Sequence, residues 1–179
     1  MNNSNFKAIC IVIPVNNEQD NIQPLVDKIC GVVSLVEKYV WKILFVDDGS
    51  TDSSVMEIEK LIKIGLPVGY IQLSRNFGHQ CALEAGLNAA DADVIITMDA
   101  DFQHPPEEIP RMISEFEKGF DVVQMKRVNV AEDFKGIISF FFYTFFKWIS
   151  NAPLVSNAAD FRLISRPVAE QILKIPGRG

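Results

Sequence analysis

Short apolar runs alternate with longer segments whose apolar residues recur at helical spacing. Ala8–Val15 is an unbroken apolar run rich in β-branched residues, which predicts a strand buried on both faces. Glu18–Tyr39 then carries apolar residues every three or four positions, which predicts a helix. The remaining predicted strands and helices, in order, are Trp41–Asp47, Ser53–Ile64, Val68–Leu73, Asn76–Ala90, Asp93–Asp99, Pro105–Lys118, Phe120–Arg127 and a strand plus helix within Ala159–Ile175. This alternation predicts an α/β fold with a mostly parallel central sheet and helices on both faces.

Polar residues cluster where three of the predicted strands end. The clusters are Asn16–Glu18, Asp47–Asp52 and Asp99–Gln103. Open α/β sheets bind ligands just outside the carboxyl ends of their strands. We therefore expect the three clusters to meet in one ligand site.

The cluster Asp99–Gln103 suggests a cation site. Asp99 and Asp101 are separated by one residue, so in an extended chain both carboxylates point to the same side. Two such oxygens suit Mg²⁺ or Mn²⁺, which also takes water and phosphate oxygens. The alternative is that Asp101 or Gln103 caps the helix that begins near Pro105.

Asp47 and Asp48 end the second strand and precede a glycine. The pair could be ordinary turn chemistry, or it could accept hydrogen bonds from a base or a ribose. Ser50 or Thr51 is expected to cap the next helix. The glycine-rich phosphate loops GxGxxG and GxxxxGK[ST] are both absent, so phosphates would need a metal or basic side chains. These features alone do not separate a nucleotide-sugar enzyme from a phosphatase or a receiver-type domain.

An aromatic segment follows the fifth predicted strand. Ile137–Ser150 contains five phenylalanines, a tyrosine and a tryptophan. As a helix it would be apolar nearly all round, which favours a helix at 130–150 lying on a membrane surface or covered by further chain. The alternative is an ordinary core helix.

Composition and charge narrow the class of protein. The chain has 179 residues, 48% of them hydrophobic, which suits one globular domain spanning 1–179. Its net charge of −6 argues against a general nucleic-acid binder. Three scattered cysteines are expected to be buried thiols in a reducing compartment. The first residues lack a secretory signal, and the sequence contains no run of 18 apolar residues.

Several motifs together carry a family resemblance. "IVIPVNNEQDNI", "ILFVDDGSTDSS", "LSRNFGHQCALEAGLNAADADVIITMDADFQHPPEEIPRMI" and "AADFRLISRPV" resemble, in order and spacing, the family 2 glycosyltransferases of GT-A fold. The resemblance covers about Ala8–Ile175 and is strongest to the polyprenyl-phosphate glycosyltransferases. These include bactoprenol glucosyltransferases and, more distantly, dolichol-phosphate mannose synthase. It implies that this chain is the N-terminal catalytic part of an enzyme whose C-terminal membrane region is absent here.

The resemblance also implies residue roles, position by position. The resemblance assigns nucleotide-sugar binding to Pro14, Glu18, Asp48 and Asp99. It assigns metal binding to Asp101 and Gln103. Catalytic roles fall to Asp160, Asp101 and Arg127, with Asp160 as a base or an acceptor-orienting group. The acceptor phosphate falls to Lys135, Ser139 and Arg162. Asn16 departs from the family, in which an aromatic residue often stacks on the base. His104 has no implied role, and we expect it at the surface or behind the ligand-contacting residues.

The implied reaction is inverting transfer of a sugar, from a UDP-sugar in preference to a GDP-sugar, to polyprenyl phosphate with Mg²⁺ or Mn²⁺. The implied partners are the nucleotide sugar, the lipid phosphate, the membrane surface and a second copy of the protein. The expected location is the cytoplasmic side of the plasma membrane for the full-length protein, although this chain alone could be soluble. A saccharide or lipopolysaccharide precursor is the alternative acceptor, and a nucleotide-binding module without catalysis is the alternative class.

Overall fold

The fold is built on one seven-stranded sheet. The computed structural model describes residues 7–126, 140–142 and 158–175. The strands are β1 (Lys7–Val15), β2 (Tyr39–Asp47), β3 (Val68–Gln72), β4 (Val94–Thr97), β5 (Val122–Lys126), β6 (Phe140–Phe142) and β7 (Ala158–Ser165). The α-helices are α1 (Gln19–Val33), α2 (Ser54–Lys63), α3 (His79–Ala89), α4 (Ile109–Glu117) and α5 (Arg166–Leu173). A 3₁₀ turn at Pro106–Glu108 precedes α4.

The sheet has the order β3-β2-β1-β4-β7-β5-β6. The first four of these strands are parallel to one another. β7 lies between β4 and β5 and is antiparallel to both, so β5 runs in the same direction as β4. The expected mostly parallel α/β sheet is confirmed, with β7 and β6 as its two reversed strands.

Side-chain alternation along β1 divides the core into two layers. Ile9, Ile11 and Ile13 face the layer that contains the apolar sides of α1, α2 and α4. Cys10 and Val12 face the opposite layer, against α3 and α5. Both faces of β1 are buried, as its unbroken apolar run predicts. The helices thus cover both faces and leave the carboxyl edge of the parallel strands for ligands.

Several predicted boundaries are wrong in detail. α1 ends at Val33, well before Tyr39, which instead begins β2. Neither Ser50 nor Thr51 caps α2. The Asp52 carboxylate instead accepts hydrogen bonds from the N–H and hydroxyl of Ser54, at 2.9 and 2.6 Å. A carboxylate at this place also complements the positive end of the helix dipole.

The predicted helix in the aromatic segment is wrong at three positions. Phe140–Phe142 form β6, which pairs antiparallel with β5. Aromatic residues favour strands, and the otherwise open edge of β5 offers backbone partners. The rest of 130–150 lies outside the described residues. Among the described helices, none is both long and apolar enough to cross a bilayer.

The cysteines only partly follow the expectation of burial. Cys10 is buried, and desolvation raises the pKa of its thiol to about 11. Cys30 is half-buried and Cys81 is exposed, so the prediction is wrong for Cys81. Cys81 lies in the first turn of α3, on a side of that helix that does not face the sheet.

Candidate active site

A cavity of about 490 Å³ opens at the carboxyl edge of the parallel strands, a volume within the range of small-molecule sites. All three polar clusters predicted to meet contribute to its wall. The lining consists of Pro14, Val15, Asn16, Glu18, Asp48, Asn76, Gly78, His79, Asp99, Ala100, Asp101 and Asp160. The four residues expected to bind the nucleotide sugar are all in this set, together with Asp101 and Asp160.

The turn after β4 presents Asp99 and Asp101 to the cavity. Phe102 has φ 60°, a left-handed conformation that is costly for a bulky residue. Its ring packs against the core, which holds the turn in place. The Asp101 Oδ1 accepts the Gln103 N–H at 3.0 Å and closes the turn. This bond does not cap the following helix, whose start has no side-chain capping bond, so the capping alternative is wrong. The Asp101 side chain is exposed at the cavity wall.

His104 lies directly behind Asp99. Only 2% of its side chain is exposed, so the surface location is wrong, and the ring lies behind the cavity-lining Asp99. Its Nδ1 accepts the Asp99 backbone N–H at 2.8 Å. Nδ1 also lies 3.5 Å from the Asp99 Oδ2, but an amide can only donate, so Nδ1 is unprotonated and this contact is no salt bridge. The His104 ring stacks on Phe161 at 5.3 Å.

Asp48 fixes the loop between β3 and α3. Its two carboxylate oxygens accept the N–H groups of Phe77 and Gly78 at 2.7 and 2.9 Å, and Asp48 is 4% exposed. Gly78 has φ 97°, where a side chain would be strained. A Cβ on Gly49 would lie 2.6 Å from the Arg75 backbone, so the two loops approach as closely as they do because Gly49 has no side chain.

The loop after β1 locks onto the loop after β2. The Asn16 side-chain amide donates to the Asp48 carbonyl at 2.7 Å. Asn17, at φ 60°, uses its Oδ1 to accept the Thr51 N–H at 2.8 Å. The Glu18 N–H donates to the Ser54 hydroxyl at 2.9 Å. Asn16 therefore has a structural role here, which explains how a non-aromatic residue is used at this position.

Asp160 reaches the same cavity from β7. Its backbone carbonyl accepts the Thr97 hydroxyl at 2.6 Å, which ties β7 to the end of β4. Its Oδ1 accepts from the Arg162 guanidinium at 2.5 Å, and its Oδ2 lies 3.3 Å from the His79 Nε2. The hydrogen bond from His79 and the charge of Arg162 hold the pKa of Asp160 below its usual value, against the opposing effect of burial. Asp160 is therefore a carboxylate near neutral pH.

His79 is a charged-group neighbour of the site carboxylates to which no role was assigned from the sequence. The hydrogen bond to Asp160 and the nearby charges of Asp99, Asp160 and Asp48 raise its pKa above the usual value, although burial opposes the shift. Its Nε2 is also 3.5 Å from the Asp99 Oδ1. The signal available in the sequence was its place: a histidine directly after a glycine, at the start of the helix that follows a strand.

A divalent cation fits the cavity wall. The Asp99 Oδ1 is a buried oxygen with no hydrogen-bond partner within the described part of the chain. Asp99 and Asp101 border the same space, and Mg²⁺ often binds through one or two carboxylates plus substrate phosphates. No group of three or more potential protein ligands occurs among the described residues.

Two predicted site residues lie outside the cavity lining, and three more lie outside the described residues. Arg162 contacts Asp160 without being part of the cavity lining, and Gln103 is exposed and likewise outside that lining. Arg127, Lys135 and Ser139 lie outside the described residues. Their assignments to phosphate groups, and that of Gln103 to the metal, stay predictions.

Comparison with known sequences gives one family. The model of "Glycosyl transferase family 2" matches residues 10–173. An undecaprenyl-phosphate 4-deoxy-4-formamido-L-arabinose transferase of Salmonella paratyphi A is 40% identical over 69% of this chain and 38% of that protein. A prophage bactoprenol glucosyl transferase homolog of Escherichia coli is 37% identical over 95% of this chain and 56% of that protein. The chain thus spans roughly two fifths to just over half of these relatives.

Comparison with solved structures gives the same fold. A mannosyltransferase from Pyrobaculum calidifontis in complex with GDP-Man and Mn²⁺ superposes with a TM-score of 0.65, at 17% identity, over 92% of this chain and 46% of that one. Glucosyl-3-phosphoglycerate synthase of Mycobacterium tuberculosis, in complex with Mn²⁺, UDP and glucosyl-3-phosphoglycerate, superposes with a TM-score of 0.56, at 19% identity, over 90% and 58%. At these identities the likeness establishes the GT-A architecture.

Proposed function

The chain belongs to glycosyl transferase family 2, and from that premise we propose that it transfers a sugar from a UDP-sugar to polyprenyl phosphate at the cytoplasmic face of the membrane. The names of the two relatives described above contain undecaprenyl-phosphate and bactoprenol, respectively, which supports a polyprenyl-phosphate acceptor. The family establishes a glycosyltransferase. The donor, the acceptor, the metal and the stereochemical course are the proposal.

The observation that carries the proposal is the placement of carboxylates around one cavity. Asp99 and Asp101 stand at the end of β4, while Asp160 faces them from β7. In a nucleotide sugar the scissile bond joins the anomeric carbon to the anionic diphosphate, and in a single displacement the acceptor approaches that carbon from the opposite side. The β4 side suits the diphosphate through a cation, and the β7 side suits the acceptor.

On the donor side, Asp99 and Asp101 would hold Mg²⁺ or Mn²⁺. Such an ion acts as a Lewis acid that neutralises charge on a departing nucleoside diphosphate. The chain's own contribution is to keep the two carboxylates oriented. His104 fixes the Asp99 backbone and the Gln103 N–H fixes Asp101, at 2.8 and 3.0 Å. Little reorganisation is then required when the donor binds.

On the acceptor side, a phosphate oxygen forms the new bond to the anomeric carbon while the bond to the nucleoside diphosphate breaks and that group leaves with the electron pair. A single displacement of this kind inverts the anomeric configuration. The acceptor is a phosphate monoester and is already anionic near neutral pH. Asp160, with one oxygen on Arg162 and the other near His79, is a weak proton acceptor. We assign Asp160 an orienting role.

Asp101→Ala tests the proposal in the full chain with vesicles that contain polyprenyl phosphate. We expect transfer from the UDP-sugar with Mn²⁺ to fall to background, because one of the two carboxylates at the ion is lost. The stabilisation of the folded protein by UDP plus Mn²⁺ should also be lost; at a concentration 100-fold above Kd it would be about 2.7 kcal/mol. Asp91→Asn, an exposed carboxylate outside the cavity, is the control.

Two results would contradict the proposal. Full activity of the Asp101→Ala protein would remove the metal assignment. Transfer by the unmodified protein to a soluble saccharide, with none to polyprenyl phosphate, would replace the lipid acceptor with a saccharide.

A further inference from the structure

His79 joins two carboxylates that come from different strands. Asp99 follows β4 and Asp160 belongs to β7, and both approach the same imidazole nitrogen. The Nε2 of His79 lies 3.5 Å from the Asp99 Oδ1 and 3.3 Å from the Asp160 Oδ2. The side chain of His79 is 41% exposed and borders the cavity. The imidazole therefore lies between the donor side and the acceptor side of the proposed reaction.

The backbone under His79 is firmly held. The Asp48 carboxylate binds the two N–H groups that precede His79, those of Phe77 and Gly78. Gly78, at φ 97°, directs the chain into the first turn of α3. The imidazole of His79 is therefore attached to a backbone position that is fixed by hydrogen bonds to the preceding residues.

Asp99 and Asp160 are each also held by a second residue, Asp99 through its backbone and Asp160 through its carboxylate. His104 accepts the Asp99 backbone N–H at 2.8 Å, and Arg162 donates to the Asp160 Oδ1 at 2.5 Å. The two oxygens that lie nearest the His79 Nε2 are the Asp99 Oδ1 and the Asp160 Oδ2. Two negative oxygens on one cavity wall repel each other unless a donor stands between them. His79 is the donor in that place.

The geometry points to His79 as a positioning residue: we propose that its single Nε2–H holds the Asp160 carboxylate in the orientation that receives the acceptor, and lets the Asp99 oxygen stand close by. One N–H cannot fully satisfy two carboxylates, and the shorter distance is to Asp160. Asp99 therefore keeps an oxygen for the donor side. The role of Asp160 toward the acceptor rests on the proposed function, whereas the contact itself does not.

Loss of this N–H should affect turnover more than donor binding. Without it, Asp160 keeps only the bond from Arg162 and can rotate, so the acceptor is misplaced. A misplacement of about 1 Å near reacting atoms can cost roughly 100-fold in rate. We expect His79→Ala to lower kcat by about 10- to 100-fold, while the Kd of the UDP-sugar changes less than threefold, within about 0.7 kcal/mol.

The conservative variant His79→Gln makes the test specific. A glutamine amide places an N–H near the position of the imidazole Nε2. The kcat of His79→Gln should therefore be at least tenfold higher than that of His79→Ala. Gln80→Ala, an exposed change at the next residue of the same helical turn, should leave kcat unchanged. The proposal is overturned if His79→Gln is as slow as His79→Ala, or if the Kd for the donor weakens by the same factor as kcat.

A second measurement separates this proposal from the proposed function. The chain has two histidines, so the side-chain ¹⁵N signals of His79 are those that disappear in His79→Gln. In the full chain without nucleotide or metal, Asp160→Asn should shift the His79 Nε2 signal strongly, and Asp99→Asn should shift it less. An unchanged signal in Asp160→Asn would overturn the inference that His79 holds the Asp160 carboxylate. A shifted signal in a protein that transfers no sugar to polyprenyl phosphate would instead refute the proposed function alone.

Discussion

Replacing Asp48 by asparagine tests how the β3–α3 loop is held. The carboxylate of Asp48 accepts two backbone N–H groups, from Phe77 and Gly78, at 2.7 and 2.9 Å. Asparagine has nearly the same shape but only one acceptor oxygen. In Asp48→Asn, one of the two N–H groups would face an NH₂ donor, and the remaining bond would no longer be to a charged group.

The structure sets the size of the expected loss. A hydrogen bond to a charged group contributes about 1.5–3 kcal/mol, and leaving a buried donor unpaired costs about 1–3 kcal/mol. Asp48 is 4% exposed, so water does not readily replace the lost acceptor. Phe77 is 45% exposed, so the loop can shift toward solvent and recover part of the loss. We therefore expect the free energy of unfolding to fall by about 2 kcal/mol, which is less than the sum of the two contributions because the loop can relax.

Thermal and urea unfolding of the full chain without nucleotide or metal measure this loss. A loss of about 2 kcal/mol corresponds to roughly 4–8 °C in Tm for a chain of this size. Hydrogen exchange adds a local readout, because the Phe77 and Gly78 amides should exchange faster in Asp48→Asn. Asp91→Asn makes the same chemical change at an exposed position and should alter stability by less than about 0.5 kcal/mol. Equal stability of Asp48→Asn and the control, with unchanged amide exchange, would refute the reasoning.

Two further predictions concern α3. In Gly86→Ala the new Cβ would lie 2.9 Å from the Val46 Cγ2 and closer still to the Val12 Cγ1. The overpacking cost of about 1–3 kcal/mol should exceed the gain in helix propensity of about 1 kcal/mol, so the urea midpoint of unfolding should fall. An unchanged midpoint would contradict this prediction. The hydrogen bond to Asp160 raises the pKa of His79, so its contribution to stability is complete below the unfolded pKa near 6.5 and is lost as pH rises through the folded pKa. The Tm difference between the unmodified protein and His79→Gln should therefore shrink between pH 6 and pH 9, and a constant difference would argue against the charged contact.

The periodicity of apolar residues predicted where the strands and helices lie along the chain, but it did not predict which strands pair with one another in the sheet. The apolar run of Ala8–Val15 identifies β1 because burial on both faces leaves a pattern in the local sequence. The position of β7 between β4 and β5 leaves no such pattern. Its pairing partners are far away in sequence, as in the register Thr97–Arg162. Strand pairing at that separation depends on the whole chain, so only the structure could reveal it.

The site residues divide in the same way. Asp48, Asp99 and Asp101 could be predicted because they follow strands, and strand ends meet at one edge of the sheet. His79 could not be assigned from the sequence, since its role depends on contact with two residues from other strands. The direction of His104 also depends on the tight turn before it, which brings the ring beneath the Asp99 backbone.

The reversed direction of β7 is what makes this cavity two-sided. Asp160 is the third residue of its strand, and at the start of a parallel strand it would lie at the opposite edge of the sheet from the ligand site. Because β7 is antiparallel to β4, its beginning instead lies beside the end of β4, where the Thr97 hydroxyl binds the Asp160 carbonyl at 2.6 Å. In the proposed function, the parallel strands then supply carboxylates for the cation that binds the diphosphate, while one inserted strand supplies a carboxylate for the acceptor. In this sheet, the antiparallel insertion is therefore the structural cause of the opposed carboxylates on which the proposed transfer depends.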